Sequence, residues 1–317
     1  MKKSCYFCGV RRVKKYGKTK KGKQRFRCLN CLKTYSWLRP KHKAKKEEVW
    51  FKWWIKEGLS LRQISRISKH GRKKLKRIKN EWLKQAAPEL YKDYAKAKYL
   101  IFDGTYFKRT NSLLLFMNDT DGNIISCRYV DSESYENTYK MACELKSFGV
   151  EPKSITLDGL KPVIAAVQDV WPEAIIQRCL YHIEHQGKMW LRAKPKTDAG
   201  RDLKDIFAGL TGIKSNSGKE EFTHKYKRFL QQHGQYVKSL SYKEVGYRDI
   251  KKAVSLIANA YDNMWHYLED RKIPKTTNKL EGYISELKQQ YGKHKGLAKH
   301  NRDSYFKWYC YYKNHAK

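Results

Sequence analysis

No apolar run in this 317-residue sequence is longer than Leu113 to Met117. A membrane-crossing helix needs about 20 such residues, so none is expected. Nothing after Met1-Lys2-Lys3-Ser4-Cys5 reads as a signal peptide. Acidic residues are scarce: 31 Asp plus Glu stand against 69 Lys plus Arg, a net charge of +38. Residues 1–46 hold 18 Lys or Arg and no acid. Such an excess points to a polyanionic partner, and the lack of an adjoining apolar segment weighs against a membrane surface. Core material is not lacking. Hydrophobics make up 40% and aromatics 14%, which excludes a disordered basic tail.

A secreted disulfide framework is also missing. Of eight cysteines, Cys127, Cys143, Cys179 and Cys310 are scattered, and the expected setting is reducing and cytoplasmic. The other four form Cys5-x2-Cys8 and Cys28-x2-Cys31, with 19 residues between the pairs. This spacing matches a tetrahedral four-thiolate zinc site, each pair a tight turn and the intervening residues a small hairpin. Gly9 and Asn30 suit those turns, and Gln24-Arg25-Phe26-Arg27-Cys28 reads as a short strand. About 40 residues cannot fold on buried surface alone, so the metal would carry a ribbon over residues 1–40. Zinc ribbons bind DNA, RNA or protein, so the motif does not fix a function.

Residues 45–90 read as a helical DNA-binding unit. Glu47 to Glu57 forms one helix, and Ser60 caps a second with Gln63 at the capping-box position. A third runs from about Gly71 to Trp82, with Leu75, Ile78 and Trp82 on one face and cations on the other. This suggests a helix-turn-helix whose Arg72, Lys73, Lys76 and Arg77 contact DNA. A basic bundle that only links domains is the alternative.

From residue 97 the pattern changes. Lys98 to Lys108, Leu113 to Asn118 and Ile124 to Val130 read as strands, the last two joined by a turn that takes Asp119 and Asp121. A helix over Tyr135 to Phe148, the strand Ser154 to Leu157, a helix over Val163 to Val170 and the strand Ala174 to Cys179 follow. Three antiparallel strands and then alternating helix and strand is the order of a ribonuclease-H-like fold. That order sets the first and fourth strands side by side. The fold class is α/β: a ribonuclease-H-like core (97–182 and 275–317) holding a helical insertion (183–274), preceded by the ribbon and the helix-turn-helix. Within the insertion, Phe222 to Gln232 and Ile250 to Leu268 read as helices, with a Gly/Ser/Asn-rich break at Gly209 to Lys219. In the tail, Asn278 opens one helix and Tyr305 to Tyr312 lies in another.

Residues 99–182 reverse the charge balance, with 8 basic and 11 acidic residues. Asp103 ends the apolar run Tyr99 to Phe102, Asp158 ends Ile155 to Leu157, and Glu281 falls in the first turn of a helix. Two strand-end aspartates and one helical glutamate can surround a pair of divalent cations. In a chain this basic, the substrate would be a phosphodiester. Each acid also has a plainer explanation. Asp-Gly is a common turn pair, and Asn278-x-x-Glu281 could be a capping box.

Phe102-Asp103-Gly104-Thr105, Leu157-Asp158-Gly159, Cys179-Leu180-Tyr181-His182 and Thr277-Asn278-Lys279-Leu280-Glu281-Gly282 together resemble the Mutator-like group of bacterial insertion-sequence transposases. The resemblance covers residues 98–317, and the two N-terminal units resemble those of some members. It implies that Asp103, Asp158 and Glu281 bind two magnesium (or manganese) ions, with a helical insertion in the 123-residue gap between the last two. It places Cys179 and His182 beside the active site in a supporting role; a buried Cys with a hydrogen-bonded His is the alternative. The expectation is a DDE transposase in a prokaryotic cytoplasm, associated with the nucleoid. It would bind the DNA ends of its element and a target, as a homodimer or larger assembly. A structure-specific nuclease and a catalytically inactive DNA-binding regulator are the rivals.

Overall fold

The computed structural model describes residues 4–5, 7–20, 22–36, 40–107, 111–244, 247–294 and 296–315. Lys108, the expected end of the first core strand, lies outside them, as do parts of the expected segments 1–40 and 275–317. The chain divides into two compact units, Met1–Trp82 and Leu83–Lys317.

The smaller unit opens with a three-stranded antiparallel sheet, β1 (Val13–Lys18), β2 (Gln24–Cys28) and β3 (Thr34–Ser36). Its described buried side chains are few: Cys5, Phe26 and Cys28. Burying a large apolar side chain yields ~2–3 kcal/mol, whereas ordering each residue costs ~1.5 kcal/mol, so packing alone does not hold this sheet. Three helices follow: α1 (Pro40–Lys56), α2 (Leu61–Ser68) and α3 (Arg72–Leu83). The first starts well before Glu47, where its expected start lay. Ser60 and Gln63 form the expected capping box on α2. Phe51 of α1 stacks on Trp82 of α3 at 5.6 Å, and Ile64, Leu75 and Ile78 complete the apolar side.

The larger unit is built on a five-stranded mixed sheet of β4 (Tyr99–Phe107), β5 (Asn111–Asn118), β6 (Asn123–Val130), β7 (Ser154–Leu157) and β8 (Ile175–Arg178). Across the sheet the order is β6-β5-β4-β7-β8; the first three run antiparallel, whereas β4, β7 and β8 are parallel. Helices α4 (Tyr135–Ser147) and α5 (Lys161–Val170) cross over between strands. Met141 and Leu145 of α4 and Val163 and Val167 of α5 share a core with Leu100, Phe102, Ile155 and Leu157. Tyr91 and Tyr94 join it, so the segment after α3 packs on this unit.

A helical region then runs through α6 (Leu180–Leu191), α7 (Asp198–Phe207), α8 (Asn216–Ser239), α9 (Tyr247–Ala260) and α10 (His266–Glu269). It has its own core, with Leu203, Phe207, Phe222, Phe229, Ile250 and Ile257 at its centre. The expected break is shorter than foreseen, because Ser215 caps α8 by accepting from the Gly218 amide. The expected helix over Ile250 to Leu268 is in fact two. A 3-10 turn at Tyr261–Asn263 parts them, and Met264 and Trp265 are both buried, Trp265 lying 5.3 Å from Phe222. Finally α11 (Asn278–Gly292) and α12 (Arg302–Asn314) return to the sheet. Phe107 of β4 meets Tyr291 of α11 and Phe306 of α12 at 5.2 and 4.9 Å.

Candidate active site

Strand alternation decides where the two aspartates point. Leu100 and Phe102 face α4 and α5, so Ile101 and Asp103 face the other side. Ile155 and Leu157 likewise face α4 and α5, which turns Thr156 and Asp158 toward the α11 side. The Thr156 hydroxyl there donates to the Pro274 carbonyl at 2.6 Å. The parallel register pairs Ile101 with Thr156. Continued by two places, it sets Asp103 beside Asp158.

Asp103 does not end its strand. It is the fifth of nine residues in β4, and it is β7 that stops, leaving Asp158 just past the end of its neighbour. The Leu160 amide donates to Asp158 Oδ1, and the Gly104 amide to Asp103 Oδ1, each at 2.9 Å. Glu281 projects from the first turn of α11. Burial, with the charges of Glu281 and Asp158, pushes the Asp103 carboxyl up to about 7 against the opposing influence of His182 and the Gly104 amide. Asp103 thus feels the charge of both other acids. Among the described residues their oxygens do not all fall within 4.8 Å of one another.

The capping-box alternative for Glu281 is not what forms. Thr277 caps α11 without a side-chain bond to the helix backbone. Its hydroxyl instead donates to Glu281 Oε1 at 2.7 Å, and its amide donates to Cys179 Sγ at 3.3 Å. The same hydroxyl oxygen lies 3.3 Å from Cys179 Sγ and 3.4 Å from His182 Nδ1. A hydroxyl has one proton, here given to Glu281, so Cys179 and His182 must donate to it. His182 Nε2 faces Glu281 Oε1 at 3.8 Å. Contact with Cys179, aided by the charges of Asp103 and Glu281, holds the imidazole up at about 9 despite burial. Ligating atoms of Cys179, His182 and Glu281 all lie within 4.8 Å of one another.

Two further charged residues enter the site that the sequence did not mark. Glu133, in the loop before α4, lies where a Cβ on Gly104 would stand, its Oε2 2.4 Å from that position. Burial, then Asp158 and Asp103, push its carboxyl up to about 8. Arg178, at the end of β8, occupies the corresponding place over Gly159, with Nη2 1.9 Å from where a Cβ would be. Each Asp-Gly pair therefore needs its glycine, because a charged side chain lies against the bare backbone. Those glycines were the available signal. Asp119 and Asp121 lie in the β5–β6 turn, paired with Lys279 and with Tyr91 and Asn123.

A sequence model of the family described as Transposase, Mutator family matches residues 52–297. The chain belongs to that family. It is also 22% identical over 217 residues to a protein of Corynebacterium diphtheriae described as a probable transposase for an insertion sequence element. The alignment covers 66% of this chain and 57% of that relative, so the chain spans just over half of the relative's length. The segment matched to the Mutator transposases contains Asp103, Glu133, Asp158, Arg178, Cys179, His182 and Glu281.

Outside the Mutator match lie the four ribbon cysteines. The sulfurs of Cys5, Cys8, Cys28 and Cys31 are all within 4.8 Å of one another and could hold a metal ion. Amides aim at them: Phe7 donates to Cys5 Sγ at 3.3 Å, and Asn30 and Cys31 to Cys28 Sγ at 3.4 and 3.5 Å. Burial opposes ionisation of Cys5, but the amides of Phe7 and Cys8, together with the Cys28 and Cys31 side chains, draw the thiol down to about 6. Gly9 takes the left-handed backbone after the first pair; after the second it is Leu32, not Asn30. On α3, Arg72, Lys73 and Lys76 are exposed, while Arg77 is ion-paired with Glu47 at 3.3 Å and Glu81 at 3.4 Å.

Proposed function

We propose that this chain is a DDE transposase of an insertion sequence, cutting DNA at the element's ends and joining those ends to a target. The observation that carries the reading is the convergence of Asp103 and Asp158, from adjacent parallel strands, on the α11 face where Glu281 projects. Family membership supplies the substrate class: the matched relative is described as a transposase. The strand order, with three antiparallel and two parallel strands, supports a ribonuclease-H-like core with residues 183–274 as its helical insertion.

The donor set fits divalent magnesium (or manganese). It is all oxygen at the aspartates, and the charges of Asp103, Asp158 and Glu133 oppose one another, with His182 and Arg178 the cations that act on them. Asp103, Asp158 and Glu281 would hold the ions, and Glu133 reaches the same cluster. When bound, such ions supply an activated water and stabilise the leaving oxygen of an in-line displacement. The chain's own part is orientation. Thr277 fixes Glu281, Cys179 anchors Thr277, and His182 holds a positive charge beside the acids where phosphate approaches.

The four sulfurs, each pair supported by amide donors, fit zinc, which would hold the ribbon together. The ribbon and α1–α3, read as a helix-turn-helix, would bind the element end, with Arg72, Lys73 and Lys76 on phosphates. Arg77 has less to offer, being paired within its own unit. Acting on two ends implies at least a dimer on DNA. Incubating purified protein with DNA carrying the element's ends, magnesium and a target plasmid tests the reading. Cut ends joined to the target support it. Cutting without joining leaves a nuclease, and binding alone a regulator.

A further inference from the structure

A cavity of about 540 Å³ opens beside Gly159, the residue after the second aspartate, between α5 and β8 of the sheet and α6 and α9 of the helical region. Its lining is one-sided in charge. Lys161, Arg178, Arg248, Lys251 and Lys252 contribute to it together with Trp190, and no acid does. Lys161 and Arg248 are exposed, and no described residue gives either a hydrogen bond or ion pair. Among the described residues Lys252 meets only the Trp190 ring, 5.7 Å away. Lys251 lies 4.5 Å from the Tyr247 ring and reaches the Lys238 carbonyl at 3.4 Å.

Arg178 carries the argument furthest. It is only 7% exposed, and its Nε has no hydrogen-bond partner among the described residues. A buried guanidinium N–H left without an acceptor is costly, and proteins rarely keep one without a use. Its electrical partner is Asp158, which does not come within ion-pair distance. The fold also leaves room for it: it packs on Gly159, where any side chain would displace it.

We propose that this cavity is a phosphate-binding groove, in which Arg178 and the surrounding cations take the backbone of one DNA strand next to Asp158. The proposal rests on the transposase reading, which supplies the strand. A volume of this size suits a nucleotide-sized group and not a duplex. The occupant must be anionic, because no acidic side chain of the lining offsets the cations. The helical region thereby serves the chemistry, since α9 and α6 close one wall over the strand that the carboxylates address.

The test is the salt dependence of binding, measured on the full chain with an oligothymidylate probe and no added magnesium. Each phosphate contact on a single strand contributes about 0.7 to the slope of log K against log salt. The triple variant Lys161→Ala/Arg248→Ala/Lys252→Ala is expected to lower that slope by about 2. A control triple of exposed cations on α8 that do not line the cavity, Lys225→Ala/Lys227→Ala/Arg228→Ala, is expected to leave most of it. Arg178→Gln should weaken binding at every salt concentration, with folding checked by thermal unfolding; the surface triple stands without it. A slope unchanged in the groove triple, or lowered equally in the control, overturns the proposal. So does a groove triple that loses affinity for inorganic phosphate while binding the oligonucleotide normally. Because no cleavage is scored, failure here is separable from failure of the transposase reading. Normal cutting by Asp103→Asn would sink that reading and leave the slope intact.

Discussion

The carboxylate of Glu133 lies against the bare backbone of Gly104, within 2.4 Å of where a Cβ would be. A methyl group on residue 104 and the present position of Glu133 exclude each other. The displaced atoms are the free end of a flexible side chain, so the fold should absorb the change while the acid moves. Gly104→Ala is therefore expected to unfold at nearly the wild-type temperature yet cleave DNA slower, on the order of a hundredfold, as for other misplacements of about 1 Å near the chemistry. Glu133→Gln should match it and weaken manganese binding measured by titration. Normal manganese affinity in both variants would remove Glu133 from the site.

Thr277 positions Glu281 through the bond from its hydroxyl. A hydrogen bond to a charged group is worth about 1.5–3 kcal/mol, so Thr277→Val should slow cleavage about 10- to 100-fold. Thr277→Ser keeps the hydroxyl and should restore most of the rate. A rate kept by Thr277→Val and lost in Thr277→Ser would show that the methyl packing matters and the bond does not.

Much of this site was legible from residue order. The alternation of apolar residues marked the strands, and the crossover order alone placed β4 beside β7. Glu281 in a helical first turn followed from the Thr-Asn-x-x-Glu phrase. Three features were not legible, each for a physical reason. Asp103 sits mid-strand because β5 continues to pair along β4 after β7 has stopped, and a strand's length depends on its partners. Glu133 belongs to a loop whose path is set by tertiary packing, so nothing local announces it. Arg178 lies inside the expected strand Ala174 to Cys179 with nothing local to mark it, and only the space over Gly159 shows its placement. The break after α9 was hidden for a similar reason. Its apolar periodicity continues while Trp265 turns into the helical core.

The carboxylates also fix a pH dependence. Asp103 is raised to about 7 and Glu133 to about 8, so the folded protein holds protons that the unfolded chain releases. Their contribution to stability is full below the ordinary carboxylate range near 4 and is lost as pH rises through about 8. His182, raised to about 9, acts in the same direction, its contribution full below about 6.5 and lost through about 9. Without divalent ions the larger unit should therefore unfold at lower temperature at alkaline pH. Magnesium favours the ionised acids, so its stabilising effect should be several degrees larger near pH 8.5 than near pH 5.5. An increment of equal size at both pH values would contradict the assignment, and Asp103→Asn should reduce the difference.

For the ribbon, one zinc per chain is expected in protein purified without chelator, held by Cys5, Cys8, Cys28 and Cys31. Cys5→Ser should lose the metal and the protection of the ribbon amides against hydrogen exchange. Residues 99–315 should keep theirs, because the larger unit has separate cores of its own. A ribbon that stays protected without zinc would show that its packing suffices.

The central claim is that Asp103, Asp158 and Glu281 together carry out the chemistry, and one comparison tests it most directly. Cleavage of DNA bearing the element's end is measured in magnesium for Asp103→Asn, Asp158→Asn, Glu281→Gln and Glu286→Gln, alongside binding of the same DNA. Glu286 is the control: it lies on the same helix but bonds to Tyr309 and Lys313 of α12. The first three variants should bind normally and cleave about a thousandfold slower or worse, as loss of a metal-binding carboxylate removes several kcal/mol of transition-state stabilisation. Glu286→Gln should cut close to the wild-type rate. Cleavage that survives Glu281→Gln and vanishes with Glu286→Gln, or that survives either aspartate variant, would contradict the claim.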